Sequence, residues 1–328
     1  MTTIFIADPE GPPDLFAEEH VVAAAFGANL VMGGEVPPRI HDAEILLISA
    51  LTVPAEIMPT LARCRLIVRY GIGVDTIDIE AATAHGIVVA NAPTFCVDEV
   101  ADHTAGLIVS LARGIPWLDR QVRAGAWVAA GNSIWGVRRL STLTLAIMGL
   151  GKIGRQVARR MAPFGFRIIG HDPYLNKSTV EALGIIPVSF DEAVQTADIL
   201  SLHVPLTAAT RHLIDASALA QMKPTAVLIN TGRGGLVDEA ALILALQEQR
   251  LHGAALDVLE REPPTSDNPL LAMDPQRVIL TPHFAASSAD AEAQLHREVA
   301  AAVASLLAGR WPDATINPQV VPKQPLTR

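Results

Sequence analysis

The sequence predicts an α/β protein built from two doubly wound parallel-sheet domains. Three observations predict it. The chain has 328 residues, more than one ordinary core organises. Short apolar runs alternate with helical patterns over almost its whole length. The alternation also comes in two series, parted by a long helix and a less regular stretch.

The first series holds IFIAD (4–8), AEILLIS (43–49), LIVRYG (66–71) and IVVANAP (87–93), with helical spacing between them in segments such as PDLFAEEHVVAAAFG. VDEVADHTAGLIVSLARGI (97–115) then reads as a long helix of small and apolar residues, and an irregular, Trp-bearing stretch runs from 116 to 140. The second series is LTLAIMG (143–149), FRIIGHD (166–172), DILSLHV (198–204), AVLINT (226–231), GAALDV (253–258) and VILTPH (278–283). Six spaced strands with helices between them complete a doubly wound sheet. The chain is helical again from 290 to about 309, with no strand partner of its own, so this helix is expected to pack back on the first domain. A Pro-rich, mobile tail is expected after it.

Composition narrows the function. Half of the residues are hydrophobic and 18% are charged, which describes a packed globular protein. A formal charge of −9 argues against nucleic acid or an anionic membrane as partner, though a locally positive site still admits an anionic small substrate. Cys64 and Cys96 are too few for a disulfide framework, MTTIFIADPE has no secretory pattern, and no run reaches the length of a membrane span. A cytoplasmic protein is expected, and no metal site.

VLINTGRGGLVDEAAL (227–242) sets a permanent cation, Arg233, in a glycine turn at the end of a core strand. Alone, the turn reads equally as a solvated surface loop or as an anion site, where glycine-turn amides and a guanidinium suit a carboxylate or phosphate. LTLAIMGLGKIGRQVARRM (143–161) places Gly149, Gly151 and Gly154 in G-x-G-x-x-G spacing between a buried strand and an amphipathic helix. The first glycine permits the turn, the second lets pyrophosphate approach the backbone, and the third lets the helix pack on the sheet. The next strand ends in Asp172, whose carboxylate suits ribose hydroxyls and repels a 2′-phosphate, so the expected cofactor is NAD. His203, Arg233, Asp257 and His283 follow at successive strand ends, where ligands gather in such sheets.

Together, GLGKIG, LHVPLTAATRHLI, NTGRGGLVDEAAL, ALDVLEREPP and TPHFA resemble the D-isomer-specific 2-hydroxyacid dehydrogenase family in order and spacing. RYGIGVDTIDIEAA, VDEVADHT and FGFRIIGHDPYL are similar to its branch that includes the eukaryotic C-terminal-binding proteins. The resemblance implies two Rossmann/flavodoxin-like domains with a cleft between them. A discontinuous substrate-binding domain (1–98 plus 290–328) and an NAD-binding Rossmann domain (99–289) are expected. It puts the catalytic arginine, carboxylate and acid/base histidine on Arg233, Glu262 and His283, with Glu260 a neighbouring competitor for the carboxylate. Arg233 would hold the carboxylate of a 2-oxo acid, and His283, its charged form favoured by Glu262, would give a proton to the carbonyl oxygen as hydride arrives.

The resemblance further implies substrate contacts from Arg69 and from the backbone of Gly71, Ile72, Gly73 and Val74. Cofactor contacts fall on Thr104, Gly149, Gly151, Lys152, Ile153, Gly154, Asp172, His203, Val204, Pro205, Thr231, Gly232 and Asp257, the last reaching the nicotinamide carboxamide. A small anionic 2-oxo/2-hydroxy acid and a second copy of the chain are the implied partners. The dimer interface is expected on 97–140, through Trp117, Trp127 and Trp135. The chain departs from the pattern at Thr142 and Ala146, in place of two usual glycines, and at Ala286, where the corepressor branch carries tryptophan. The second departure detaches that branch's substrate preference from this chain. An NAD-linked binding module and a phosphite-type oxyanion dehydrogenase are the alternatives to a hydroxyacid dehydrogenase.

Overall fold

A computed structural model describes residues 1–33, 40–127, 137–274 and 276–328. The chain divides into two compact units, Met1–Cys96 with Ser288–Arg328, and Val97–Ser287.

Unit 1 contains β1 (Thr3–Ile6), α1 (Ala17–Ala25), β2 (Asn29–Met32), β3 (Ile45–Ile48), β4 (Leu66–Arg69), α2 (Ile79–Ala84) and β5 (Val88–Asn91). Its sheet runs β2-β1-β3-β4-β5, with all pairings parallel. Strands covered on both faces must be apolar throughout, which explains runs such as ILLI in β3. Alternate residues divide between two layers, as the twofold strand period requires. Ile4, Ile45, Leu66 and Val88 face one helical layer, while Phe5, Leu46, Ile67 and Val89 face Met58, Leu61 and Ile77. β2 escapes the sequence reading because its NLVM run is short, half-exposed and directly follows a helix.

Unit 2 opens with α3 (Val97–Arg113) and α4 (Ile115–Arg123). It continues through β6 (Thr144–Met148), α5 (Lys152–Met161), β7 (Arg167–His171), α6 (Lys177–Ala182), β8 (Ile186–Pro187), α7 (Phe190–Thr196) and β9 (Ile199–Leu202). α8 (Ala216–Gln221), β10 (Val227–Asn230), α9 (Glu239–Gln247), β11 (Gly253–Leu256) and β12 (Val278–Leu280) complete it. The order is β12-β11-β10-β9-β6-β7-β8, again all parallel. All six expected strands form. The unforeseen seventh, β8, is a two-residue edge strand ending in Pro187, and proline is tolerated at an edge.

α4 replaces part of the stretch read as irregular. Gly114, at φ 64°, breaks the chain out of α3, and Pro116 in the first turn of α4 restarts it. α4 leaves Ile115, Leu118 and Val122 exposed; Trp127, beyond it, is 85% exposed, and Trp135 lies outside the described residues. α3 buries Ala101, Leu107, Ile108 and Leu111 against Val157, Ala158 and Met161 of α5. Arg160 of α5 ties down its start by bonds to Asp98 at 2.7 Å and Asp102 at 2.5 Å.

The final helix, α10 (Ala289–Leu307), belongs to unit 1: Leu295, Val299, Val303 and Leu306 share a core with Ile4, Ile45 and Leu66. The segment after it contradicts the expectation of a mobile tail. β5 is an edge strand, and edge backbone groups need partners. Asn317, fully buried, takes the Val89 N–H at 2.8 Å and donates to the Ile87 carbonyl at 2.9 Å, while Thr315 bridges Ala90. Among the described residues no helix is long and apolar enough to cross a membrane.

Candidate active site

The glycine fingerprint sits between β6 and α5. Gly149 adopts φ 89°, a left-handed turn, and a Cβ on it would lie 2.6 Å from the His203 carbonyl oxygen. A Cβ on Gly154 would run into the Gly149 carbonyl, so α5 approaches β6 only because that side chain is missing. Gly151 differs: among the described residues nothing lies within 4 Å of its open side. It also forms the N-cap of α5 without a side-chain cap, so the first turn of the helix offers amides beside an open backbone. Lys152 and Ile153 open that helix. Asp172, one residue past β7, is held beside the turn. Its carboxylate accepts the Leu150 N–H at 2.9 Å and the Tyr174 N–H at 3.0 Å. This cradle fits the pyrophosphate and ribose of a dinucleotide.

Past β9, the chain passes through His203, Val204 and Pro205. The His203 N–H donates to Met148 O at 2.7 Å, and its Nε2 meets Ser201 Oγ at 2.9 Å. Burial pushes its imidazole down to about 4, so it is neutral at pH 7. The unfolded chain therefore takes up a proton that the folded state refuses as pH falls from about 6.5 toward 4. Stability is expected to fall by roughly 3 kcal/mol across that window. A series of urea midpoints checks this, and His203→Gln should flatten the acid limb by one proton.

The Arg233 turn follows β10, and the buried Asn230 shapes it. Its Oδ1 accepts the Gly232 N–H at 3.0 Å and its Nδ2 donates to Arg233 O at 2.9 Å. Arg233 is extended at φ −142°, with its Nη1 donating to Gly232 O at 2.8 Å. Thr231, just before the turn, shares a buried 2.8 Å hydroxyl contact with Thr104 of α3. A Cβ on Gly234 would collide with the Leu259 carbonyl, so the turn lies flat on the loop that carries Glu262. Gly234→Ala is expected to part Arg233 from Glu262, at about 1–3 kcal/mol of stability, lowering turnover more than NADH affinity. Parallel urea titrations and NADH binding curves test this.

His283 stands after β12 at φ 53°, a left-handed conformation unusual for a residue with a side chain. Asp257, 2% exposed, holds the backbone there. The His283 N–H donates to Asp257 O at 2.7 Å, and the Asp257 carboxylate accepts the Phe284 and Ala285 N–H groups at 2.9 Å each. The Thr281 hydroxyl adds a 2.5 Å bond to the same carboxylate, and His103 of α3 meets that hydroxyl at 3.1 Å. His283 Nδ1 in turn donates to Glu262 Oε2 at 2.6 Å, while Glu262 Oε1 accepts the Leu259 N–H at 2.9 Å. Burial pushes the Glu262 carboxyl up. The His283 and Leu259 hydrogen bonds and the charges of His283 and Arg233 outweigh it and hold it below its ordinary value. Glu260, the competitor in sequence, is engaged elsewhere: its carboxylate meets His212 Nε2 at 2.5 Å.

Arg233, Glu262, His283 and Asp257 are thus gathered at the ends of β10, β11 and β12 in unit 2. Asn230, Thr281 and His103 were not singled out in the sequence. A polar residue closing an apolar strand run, as Asn230 does, was the available signal.

In unit 1, Arg69 ends β4 and is followed by a loop in which Gly71 adopts φ 140°. A Cβ on Gly71 would strike the Arg69 guanidinium, so the arginine folds back over the loop. The Asn91 side chain donates to Ile72 O at 2.7 Å, and the Ala92 N–H to Gly71 O at 3.1 Å, fixing the loop that runs on through Gly73 and Val74. Cys64 and Cys96 are both buried and are not joined in a disulfide.

Comparison with known proteins bears on this geometry. Residues 105–285 match the model described as D-isomer specific 2-hydroxyacid dehydrogenase, NAD binding domain. The chain is 38% identical, over 99% of its length, to 61% of a D-3-phosphoglycerate dehydrogenase of Methanocaldococcus jannaschii. It is also 38% identical, over 88% of its length, to 46% of a chloroplastic D-3-phosphoglycerate dehydrogenase of Arabidopsis thaliana. The chain therefore spans about half to three fifths of the length of these curated relatives. Among solved structures, a glyoxylate reductase from Paecilomyes thermophila superposes with TM-score 0.86 at 27% identity, covering 97% of this chain and 99% of that one. A D-lactate dehydrogenase from Aquifex aeolicus, complexed with NAD and lactic acid, gives 0.85 at 27% identity, covering 94% and 96%.

Proposed function

The chain belongs to the D-isomer specific 2-hydroxyacid dehydrogenase family, and we propose that it interconverts a small 2-oxo acid and its D-2-hydroxy acid with NAD as the hydride carrier. One observation carries the reading: the 2.6 Å His283–Glu262 bond, set in a left-handed backbone that Asp257 enforces, beside the charge of Arg233. A bound nicotinamide dinucleotide supplies the hydride for C2 of the oxo acid.

The chain's residues do the rest. With Nδ1 committed to Glu262, His283 has Nε2 left to deliver a proton to the carbonyl oxygen, and to take it back in the reverse direction. Glu262 stays ionised at neutral pH and compensates the charged imidazole. Arg233 binds the substrate carboxylate and polarises the carbonyl that becomes negative. Arg69 and the amides of Gly71, Ile72, Gly73 and Val74 are the contacts that unit 1 offers to a substrate carboxylate. Gly149, Gly151 and Gly154 accommodate the pyrophosphate, and Lys152, Ile153, His203, Val204, Pro205, Thr104, Thr231, Gly232 and Asp257 line the remaining cofactor contacts. In this reading unit 2 holds the dinucleotide and the catalytic residues, and unit 1 carries further contacts for the acid.

Asp172 sets the preference for NAD over NADP by facing the ribose hydroxyls. Asp172→Ala is expected to raise the NADPH/NADH ratio of kcat/KM by at least about tenfold, as a lost charge repulsion near 1.4 kcal/mol requires. A homodimer is proposed through α4, whose Ile115, Leu118 and Val122 side chains are exposed. Sedimentation giving a monomeric mass would refute it.

The function is tested by following NADH consumption with glyoxylate, pyruvate, hydroxypyruvate and the oxo acid of 3-phosphoglycerate. Turnover of at least one is expected. Tight NADH binding without turnover of any would favour the NAD-linked binding module instead.

A further inference from the structure

Glu19, Tyr70 and His296 form a buried polar cluster in unit 1 that the chemistry above does not use. They are 1%, 7% and 3% exposed and sit on α1, one residue past β4, and on α10. Glu19 Oε1 accepts both the Tyr70 hydroxyl at 3.0 Å and His296 Nδ1 at 2.8 Å. His296 Nε2 reaches Glu292 at 3.3 Å, one turn earlier on its own helix. The Phe16 ring packs edge-on to His296, with centroids 5.0 Å apart, and to Tyr70 at 6.1 Å. Glu19 Oε2 is buried with no hydrogen-bond partner among the described residues.

Such a cluster is a poor source of stability. Desolvating an acid–imidazole pair consumes most of its attraction, and apolar residues of the same volume commonly do as well. Its value lies in direction: three segments meet on one oxygen, and only one arrangement satisfies it. Tyr70 is the residue between Arg69 and Gly71. Tyr70 continues the sheet ladder just past β4, its N–H donating to Ile48 O at 2.8 Å, so anchoring its ring in the helical layer restrains the backbone on either side of it. Burial and then Glu19 push the Tyr70 phenol far above its ordinary value, so it remains a hydrogen donor at any working pH. Burial lowers the His296 imidazole, but the Glu19 and Glu292 contacts outweigh this and raise it, favouring the cation opposite Glu19.

We propose that Glu19 is a positioning residue which, through Tyr70 and with His296 as its counter-charge, sets the Arg69–Val74 loop in its substrate-binding conformation. The proposal rests on the reading of that loop as the carboxylate site.

Tyr70→Phe removes one hydroxyl and keeps the ring among its neighbours. It is expected to raise KM for the oxo acid about tenfold, since small misplacements of binding groups have effects of that size. The kcat and the NADH dissociation constant should stay within about twofold, as both belong to unit 2. Glu19→Gln, whose amide oxygen still accepts from Tyr70, should show a smaller rise than Glu19→Ala. Hydrogen exchange at the amides of 71–74 should quicken in Tyr70→Phe, while exchange in the strands stays as it was.

Unchanged KM and unchanged loop exchange in Tyr70→Phe would overturn the proposal. So would a uniform loss of kcat, cofactor affinity and melting temperature, which marks general destabilisation. Arg69→Ala separates the two layers of the argument. If that variant leaves KM unaltered, the loop's binding role fails, and the exchange measurement alone then decides whether Glu19 positions it.

Discussion

His283→Ala is expected to lower kcat for oxo acid reduction by about 10²–10⁴, the range general acid–base catalysis supplies. The loss should fall on kcat more than on KM, because the imidazole acts on a proton that moves only as the reaction proceeds. NADH affinity should be unchanged within a factor of about two, since the glycine cradle between β6 and α5 is built without His283. The substitution also frees Glu262 from its 2.6 Å partner. The carboxyl, held low in part by that bond, should then rise toward its ordinary value. Steady-state kinetics with NADH titrations, and NMR titration of Glu262 in the variant, check both expectations.

The second large effect belongs to Arg233. Arg233→Ala is expected to cost about 10²–10³ in kcat, as loss of a donor to a developing oxyanion does elsewhere, with a further loss in KM from the unbound carboxylate. Arg233→Lys should recover little, because an ammonium cannot reproduce the two-pronged guanidinium contact. The turn itself should survive, since Asn230 holds Gly232 and the Arg233 carbonyl through backbone atoms. Kinetics of both variants with one accepted acid, alongside thermal melting, separate the lost contact from a lost fold.

What the sequence made legible follows from where the information is local. The strands of unit 2 announce themselves because a parallel sheet covered on both faces needs apolar runs, and LAIM in β6, IIG in β7 and VLI in β10 are such runs. The glycine fingerprint is readable because its spacing is local: Gly154 packs directly on the Gly149 carbonyl, and Gly149 itself takes the left-handed turn. The His203 contact of Gly149 is the part that tertiary structure adds. β2 and β8 were missed because edge strands carry little apolar signal, and α4 because Gly114 and Pro116 look like loop punctuation until they prove to be a stop and a restart. The tail was misread for a related reason: its prolines signal an absence of regular structure, yet Asn317 makes it the cover of an edge strand. At the site, the charged residues stood out by position. Their supports did not, because Asn230, Thr281 and His103 act through hydrogen bonds that span up to 178 positions of chain. Glu19 and His296, 277 positions apart, show the same limit.

The most direct test of the central claim is the fate of a labelled hydride. The enzyme would be given NADH deuterated at the transferable C4 position and the oxo acid, glyoxylate excepted, that it turns over best, and the hydroxy acid product resolved on a chiral column. One deuterium at C2, in the D isomer and absent from the His283→Ala reaction on the same timescale, is the predicted result. Product without deuterium at C2, or an L product, would contradict it.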